Sequence, residues 1–561
     1  MKSDHVNQTE AYEARLRRRL EILKTQIESG RIEMAPDLQA VESLKRVRYS
    51  ADGTVNLATV DGFVRSMALA AEYEQDRDDL RNSASLAEIQ TTYFGFLERH
   101  FGQFYDAMKE RGLTPHDAGL ALSRNPSTIA QLTKNLPDFL SMVEEFWASA
   151  EPVVTVHIQD MQGTLKGVFG GDLFPSAMEN IASKCGLYTD TLILPDPFLK
   201  SGLVFKRGTD EKKAYYLIKH ALNLLQYKEL ACADVSPPVV VVLPDARYND
   251  EDENEYFLKM ARADALPHAA RVFGRPFGSH EELIDFCRGI DTMEKAVTAI
   301  KEPGRVLFDT EWSGTLSEQI ERAQKHFTNT DLLGTSNPGL ILATQAAGRM
   351  GASNELLIHA QRLGGTPIID APTSWQFLVW KLEYDARRME NRDDLEDMHV
   401  VRGMQSLADN EMQWIGRIPS AALIEIRKSG ALADIRQILG TGVKNLTETS
   451  PADFQATREL VFNNIQTAFT QHKENISVLR GKKWKFAGTD LGSWMVVGSL
   501  AVTAAATGAP VWGILALGAE ELLAAPKLRE IPKSIRALVE QTRSLRRSPV
   551  GMLFKLSKNR R

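Results

Sequence analysis

Five short apolar runs, separated by stretches of helical spacing, constrain the fold of this chain more than any other feature. They are Val153–Ile158, Thr191–Leu194, Val239–Leu243, Arg305–Phe308 and Pro367–Ile369. Runs without polar alternation read as strands covered on both faces, and strands that alternate with helices build parallel βαβ units. Helical patterns near 175–185, 209–231, 251–263, 279–301, 315–329 and 352–363 fill the gaps. The expectation is a multi-domain α/β protein. Its centre, residues 151–371, is a largely parallel, helix-covered sheet. Gly364-Gly365, just before the fifth run, fits a helix C-cap followed by re-entry into that sheet.

The flanks read as helix. In residues 1–150, Leu16, Leu20, Leu23 and Ile27 form one helical stripe beside the Arg15–Arg19 cluster. Phe94, Phe96, Phe101 and Phe104 have the spacing of packing residues in a helical layer. Leu113-Thr114-Pro115 and Asn125-Pro126-Ser127-Thr128 each look like a helix start. Two helices so joined can form a helix-turn-helix. The turn lacks the usual glycine and the second helix is poor in basic residues, so an ordinary helical hairpin is the simpler reading. Residues 372–485 form a second helical region. Ser374-Trp375 opens one helix, and 451–479 reads as a single amphipathic helix.

Each apolar run is followed by an aspartate: Asp160, Asp196, Asp245, Asp309 and Asp370. Ligands of open parallel sheets bind beyond the carboxyl ends of the strands. Asp196, Asp245, Asp309 and Asp370, with Glu311, are therefore the candidate ligands of a hard divalent cation such as Mg²⁺. Such a cation would activate water or clamp a phosphate. The competing reading makes these aspartates N-caps and turn residues, which this kind of fold needs after every strand.

Other chemistries find little footing. No P-loop, dinucleotide fingerprint or Gly-x-Ser-x-Gly elbow occurs. Gly167-Val168-Phe169-Gly170-Gly171-Asp172 reads as a turn rather than an anion cradle. Asp250–Glu255 lacks the glycine of a calcium loop and reads as a solvated helix start. His268, near Arg271 and Arg275, reads as part of a surface cluster. Cys185, Cys232 and Cys287 are odd in number and widely spaced, which excludes a disulfide framework and suits three core thiols. The start of the chain, Met1–His5 leading to Arg15–Arg19, has no apolar segment of a secretory signal. The expected location is the cytoplasm or the cytoplasmic face of a membrane.

The last region, 486–561, stands apart. Residues 491–519 are 29 in a row without a charge, and Trp484, Trp494 and Trp512 are placed as interfacial anchors. From Pro526 onward 11 Lys and Arg face 2 Asp and Glu. The net charge of the whole chain is −6, so a tail of +9 leaves −15 for the 525 residues before it. An acidic body argues against general nucleic-acid binding. Arg543, Arg546 and Arg547 lie among apolar residues in a pattern suited to an anionic leaflet.

The length of the uncharged stretch suffices for one crossing. Gly508-Ala509-Pro510 interrupts it, which favours one kinked span or a re-entrant insertion over a two-pass hairpin. The alternative is a helical hairpin packed on the body. The functional expectation is a membrane-associated binding or effector protein with a cytosolic α/β sensing body. A metal-dependent hydrolase of a phosphate-containing substrate is the alternative, and a nucleic-acid-associated protein a weaker one.

Overall fold

Three of the expected strands form where the apolar runs predict them. In the computed structural model, β1 (Lys166–Phe169), β2 (Thr191–Leu194), β3 (Val240–Val242) and β4 (Thr366–Ile368) build one sheet in the order β3-β2-β1-β4. All neighbouring pairs are parallel, and all four strands are buried throughout. The structure describes residues 2–32, 38–51, 53–171, 180–245, 251–308, 312, 314–329, 336–385, 395–449, 454–481, 485–486, 489–490, 544–545 and 547–558.

Helix dominates the rest. The helices used below are α1 (Lys2–Glu28), α2 (Gly62–Ser83), α3 (Leu86–Glu110), α4 (Pro115–Leu122), α5 (Pro126–Asp160), α6 (Asp210–Leu225), α7 (Glu251–Phe273), α8 (Pro338–Leu363), α9 (Pro372–Asp385), α10 (Leu395–Asp409), α11 (Leu432–Gly440), α12 (Phe454–Gly481) and α13 (Pro549–Lys558). The chain divides into two compact units. One comprises Met1–Ile89 and Phe146–Met161, the other Gln90–Glu145 and Gln162–Arg561.

The first unit is helical. Leu16, Leu20 and Leu23 of α1 pack with Val60 and with Val64, Ala68 and Ala71 of α2. The stripe expected from their spacing is thus the buried face. Arg19 Nε lies 2.5 Å from Glu72 Oε2. The run Val153–Ile158 is not a strand but the last turns of α5. Trp147, Ala150, Val154 and Ile158 are all buried, at spacings of three, four and four. That is a helical stripe, and its burial outweighs the β preference of the valines. Asp160 therefore ends a helix, not a strand. Its carboxylate takes Arg81 Nε at 2.7 Å and Arg77 Nη2 at 2.5 Å. Those hydrogen bonds hold its carboxyl below the usual carboxylate range.

The second unit holds the sheet. The segment Gly167–Gly171, expected as a turn, supplies most of β1, an interior strand. Gly167 sits in close quarters there: a Cβ would fall 2.3 Å from Ile368 Cδ1 on β4 and 3.2 Å from Thr189 Cγ2, so a larger residue would displace the Ile368 tip. The fourth run forms no strand. Pro303–Arg305 makes a 3₁₀ turn, and Val306 and Phe308 enter a helical core with Phe273, Leu283, Ile320 and Ile341. Burial of the side chains is met there without a ladder. Gly364 ends α8 in the left-handed region at φ 61°, its N–H donating to Ala360 O and Gln361 O, as its position before β4 predicts.

The open edge of β3 is covered by one side chain. Buried Gln90 of α3 donates to Val242 O at 3.0 Å and accepts from Val242 N at 2.9 Å. The amide replaces a missing strand and blocks edge pairing. Both helix starts in 113–133 form. Thr114 and Asp117 make a capping box for α4, and Asn125 Oδ1 accepts from Ser127 N at 3.0 Å. Here α4 packs against α6, with Gly119 set close to the Tyr215 ring.

Toward the C-terminus, α12 is the single helix that the pattern of 451–479 predicts. α13 docks on α11 and α12. Leu553 is 1 % exposed, and Phe554 meets Phe469 and His472. In the tail, Leu553 and Phe554 pack on the protein. Arg547 is exposed. Trp484, Trp494, Trp512, Arg543, Arg546 and the uncharged stretch lie outside the described residues. Among the described residues no helix is long and apolar enough to cross a membrane.

Candidate functional site

Strand order decides which strand ends are close. The chain builds β1, β2 and β3 outward in one direction and then places β4 on the other side of β1. The order therefore reverses between β1 and β4, and the carboxyl ends of those two strands flank the position where parallel sheets leave a crevice. β1 runs there into Gly170-Gly171. Gly171 has φ 76°, and a Cβ would fall 2.9 Å from Ile369 Cδ1. The left-handed φ is what calls for glycine at this position.

β4 runs into Ile369 and Asp370, and α9 follows at Pro372. Lys184, on the short helix Ile181–Cys185, places Nζ 3.1 Å from Asp370 Oδ1 and 2.9 Å from Asp409 Oδ1 at the end of α10. Lys184 and Asp370 are both largely buried, so removing either partner would leave an uncompensated buried charge. Arg349 of α8 donates from Nη1 to Ser374 Oγ, in the first turn of α9, at 2.9 Å. Cys185 sits beside this cluster; burial and the nearby Asp370 push its thiol up, so it is inert as a nucleophile.

The other strand-end aspartates have separate roles. Asp196, after β2, is 1 % exposed. It caps the helix Pro197–Lys200, accepting from Phe198 N at 2.8 Å and Leu199 N at 3.0 Å, and takes the Tyr93 hydroxyl at 2.5 Å. This is the N-cap role. Asp245, after β3, lies 3.1 Å from Lys200 Nζ and 3.2 Å from His359 Nδ1. Burial works to raise its pKa, but Lys200 and His359 together outweigh it and hold the carboxyl well below the usual range.

The sheet thus separates the candidate metal ligands. Asp245 and Asp370 belong to opposite edge strands, three strand spacings or roughly 14 Å apart. One hard cation draws its oxygens to within about 2–2.6 Å, so it does not gather Asp196, Asp245 and Asp370 together. Among the described residues no group of three or more His, Cys, Asp or Glu is placed to hold a metal. Asp309 and Glu311 lie outside the described residues.

Two histidines are buried with hydrogen-bond partners, and one of them, His268, was expected in a surface cluster. His268 is not on the surface. It is buried between the Tyr384 hydroxyl and Arg305 O, 3.1 Å from each, against the rings of Phe377 and Trp380. Burial pushes its pKa down to about 4. His220 Nε2 lies 2.8 Å from Ser201 Oγ, but both are buried, and burial pushes the imidazole down to about 3. Both are neutral core groups at pH 7.

Sequence reasoning found the carboxylates but not the side chains that meet them. Lys184, Lys200, His359 and Arg349 come from distant elements, and no spacing in the chain pairs them with Asp370, Asp245 or Ser374. Comparison with family models, curated proteins and solved structures returns no match, so only the chain's own residues bear on its chemistry.

Proposed function

We propose that this chain is a membrane-associated binding or effector protein. Its α/β unit recognises a small polar ligand at the carboxyl edge of the sheet, and residues 486–561 contact a membrane surface. The binding role is carried by one observation: the order reversal between β1 and β4 coincides with Gly170-Gly171 and with the buried Lys184–Asp370 pair. A crevice position beside a glycine pair and a buried charge pair suits recognition. Separation of the strand-end carboxylates favours binding over metal-dependent hydrolysis. The membrane role rests on the uncharged stretch 491–519 and the net +9 tail.

Two measurements test the reading. Calorimetric titration of the full chain with nucleoside phosphates, sugar phosphates and amino acids should find one class that binds saturably. Lys184→Met should abolish that binding while the protein stays folded. Saturable binding by none of these classes, or unchanged binding in Lys184→Met, removes the binding role. Flotation of the full chain with anionic vesicles tests the membrane role, and a protein that stays at the bottom of the gradient removes it.

A further inference from the structure

The amino edge of the sheet holds more buried positive charge than its carboxylates answer. Arg427, near the end of the helix Ser420–Lys428, and Arg436 of α11 converge on the segment that leads into β2. Arg427 Nη2 donates to Gly186 O at 2.9 Å and also to Thr189 O. Arg436 Nε donates to Tyr188 O at 2.7 Å, and its guanidinium lies 5.7 Å from the Tyr188 ring centroid. The carboxylate that meets this pair is Asp190, just before β2. Its Oδ2 lies 2.8 Å from Arg436 Nη2 and accepts from Leu165 N at 2.6 Å. Asp397 takes the Tyr188 hydroxyl at 2.8 Å instead.

The donors outnumber what receives them. Among the described residues Nε and Nη1 of Arg427 are shielded from solvent and have no acceptor, and Arg436 Nη2 is not aligned for a hydrogen bond with Asp190. Two guanidinium charges thus face one carboxylate. A buried charge is ordinarily paired, and a buried donor ordinarily finds an acceptor.

We propose that Arg427 and Arg436 hold a small oxyanion, a carboxylate or phosphate group, at the amino edge of the sheet. A water in that place supplies lone pairs but leaves the Arg427 charge unanswered. An anionic group neutralises the surplus and accepts from several N–H groups at once, and guanidinium is the side chain suited to such groups. Burial pushes the Arg427 guanidinium down to about 10, with Arg436 adding to the shift and Asp190 opposing it, which is the direction an unmet counter-charge produces. The Arg436 side chain is 26 % exposed, so the site is reached from its side. The bound group ties the helix Ser420–Lys428 and α11 to the start of β2. Its place is the edge opposite the β1–β4 crevice, and it stands independently of the ligand-recognition and membrane readings.

Thermal unfolding of the full chain tests this. Sodium phosphate or sodium acetate replaces sodium chloride at constant ionic strength, in the low-millimolar range. The midpoint should rise along a saturating binding curve. A rise with phosphate alone assigns a phosphate group, and a rise with acetate assigns a carboxylate. Arg427→Met should abolish the rise. No rise with either anion means that the arginines meet internal water only, and the proposal is overturned. An equal rise in Arg427→Met overturns it too, because excluded salts stabilise any folded surface.

A second variant keeps both arginines in place. Asp190→Asn leaves an oxygen for Leu165 N but removes the competing negative charge. It should bind the same anion more tightly, so the midpoint reaches saturation at a lower concentration. Unchanged or weaker anion dependence in Asp190→Asn overturns the proposal even where Arg427→Met fails to fold.

Discussion

Phe554, in the last helix, meets Phe469 of α12 edge-on, with ring centroids 5.3 Å apart and planes at 78°. An edge-to-face pair of this kind adds about 0.5–1.5 kcal/mol beyond the area it buries. Together with Leu553 it makes the end of a basic tail part of the folded body. Leu553→Ala should therefore loosen the docking by about 2–5 kcal/mol, and Phe554→Ala somewhat less because that ring is only half-buried. Limited proteolysis should show α13 cleaved first in both variants, with the sheet still protected. A digestion pattern identical to wild type would mean that the docking contributes nothing.

A buried ion pair sits in the α7–α8–α9 packing. Lys381 Nζ lies 2.7 Å from Asp264 Oδ2, and Asn354 Nδ2 donates to the same oxygen at 2.6 Å. Removing one partner leaves a buried charge, which costs about 3–5 kcal/mol. Lys381→Met should fall in that range by chemical denaturation. Lys381→Met combined with Asp264→Leu should recover most of the loss. A double variant as unstable as the single one would show that packing, rather than the uncompensated carboxylate, sets the cost.

Close approach at Gly167 makes a sharp cycle. Gly167→Ala puts a methyl against Ile368 Cδ1, inside a packed core, and should destabilise by about 1–3 kcal/mol. Ile368→Val removes the Cδ1 atom itself. The pair together should be more stable than the two single losses predict. Strict additivity would show that β1 and β4 adjust by backbone movement instead.

His220 and His268 are both neutral and buried, with pKa values pushed down to about 3 and about 4. In the unfolded chain each titrates near about 6.5. Between those values the unfolded state binds more protons, so stability rises with pH there. The stability is fully present above about pH 6.5 and is lost as pH falls toward 4. His268→Phe should flatten part of that slope, whatever its effect at pH 8. A stability profile that stays level from pH 7 to 5 in the wild type would contradict the buried, neutral assignment.

How much of this was legible depended on the range of the interaction. The runs Thr191–Leu194, Val239–Leu243 and Pro367–Ile369 announced strands, because a stretch with no polar side could only be buried on both faces. The stripe of α1, the cap at Thr114 and the left-handed Gly364 were equally readable, since each is settled within a turn of chain. Val153–Ile158 misled because its valines favour strands, while the helical spacing of Trp147, Ala150, Val154 and Ile158 carried the opposite signal across a longer window.

The sequence by itself determined the local elements, the mixed helical and parallel-sheet class, and the division of charge between body and tail. Tertiary structure alone decided that Gly167–Gly171 is an interior strand and its exit, that β4 lies beside β1, and that Lys184 answers Asp370 while Lys200 answers Asp245. It alone brought α13 back onto α12. The physical reason is the same in each case. These outcomes depend on contacts between residues far apart in the chain, whose energies no local pattern records.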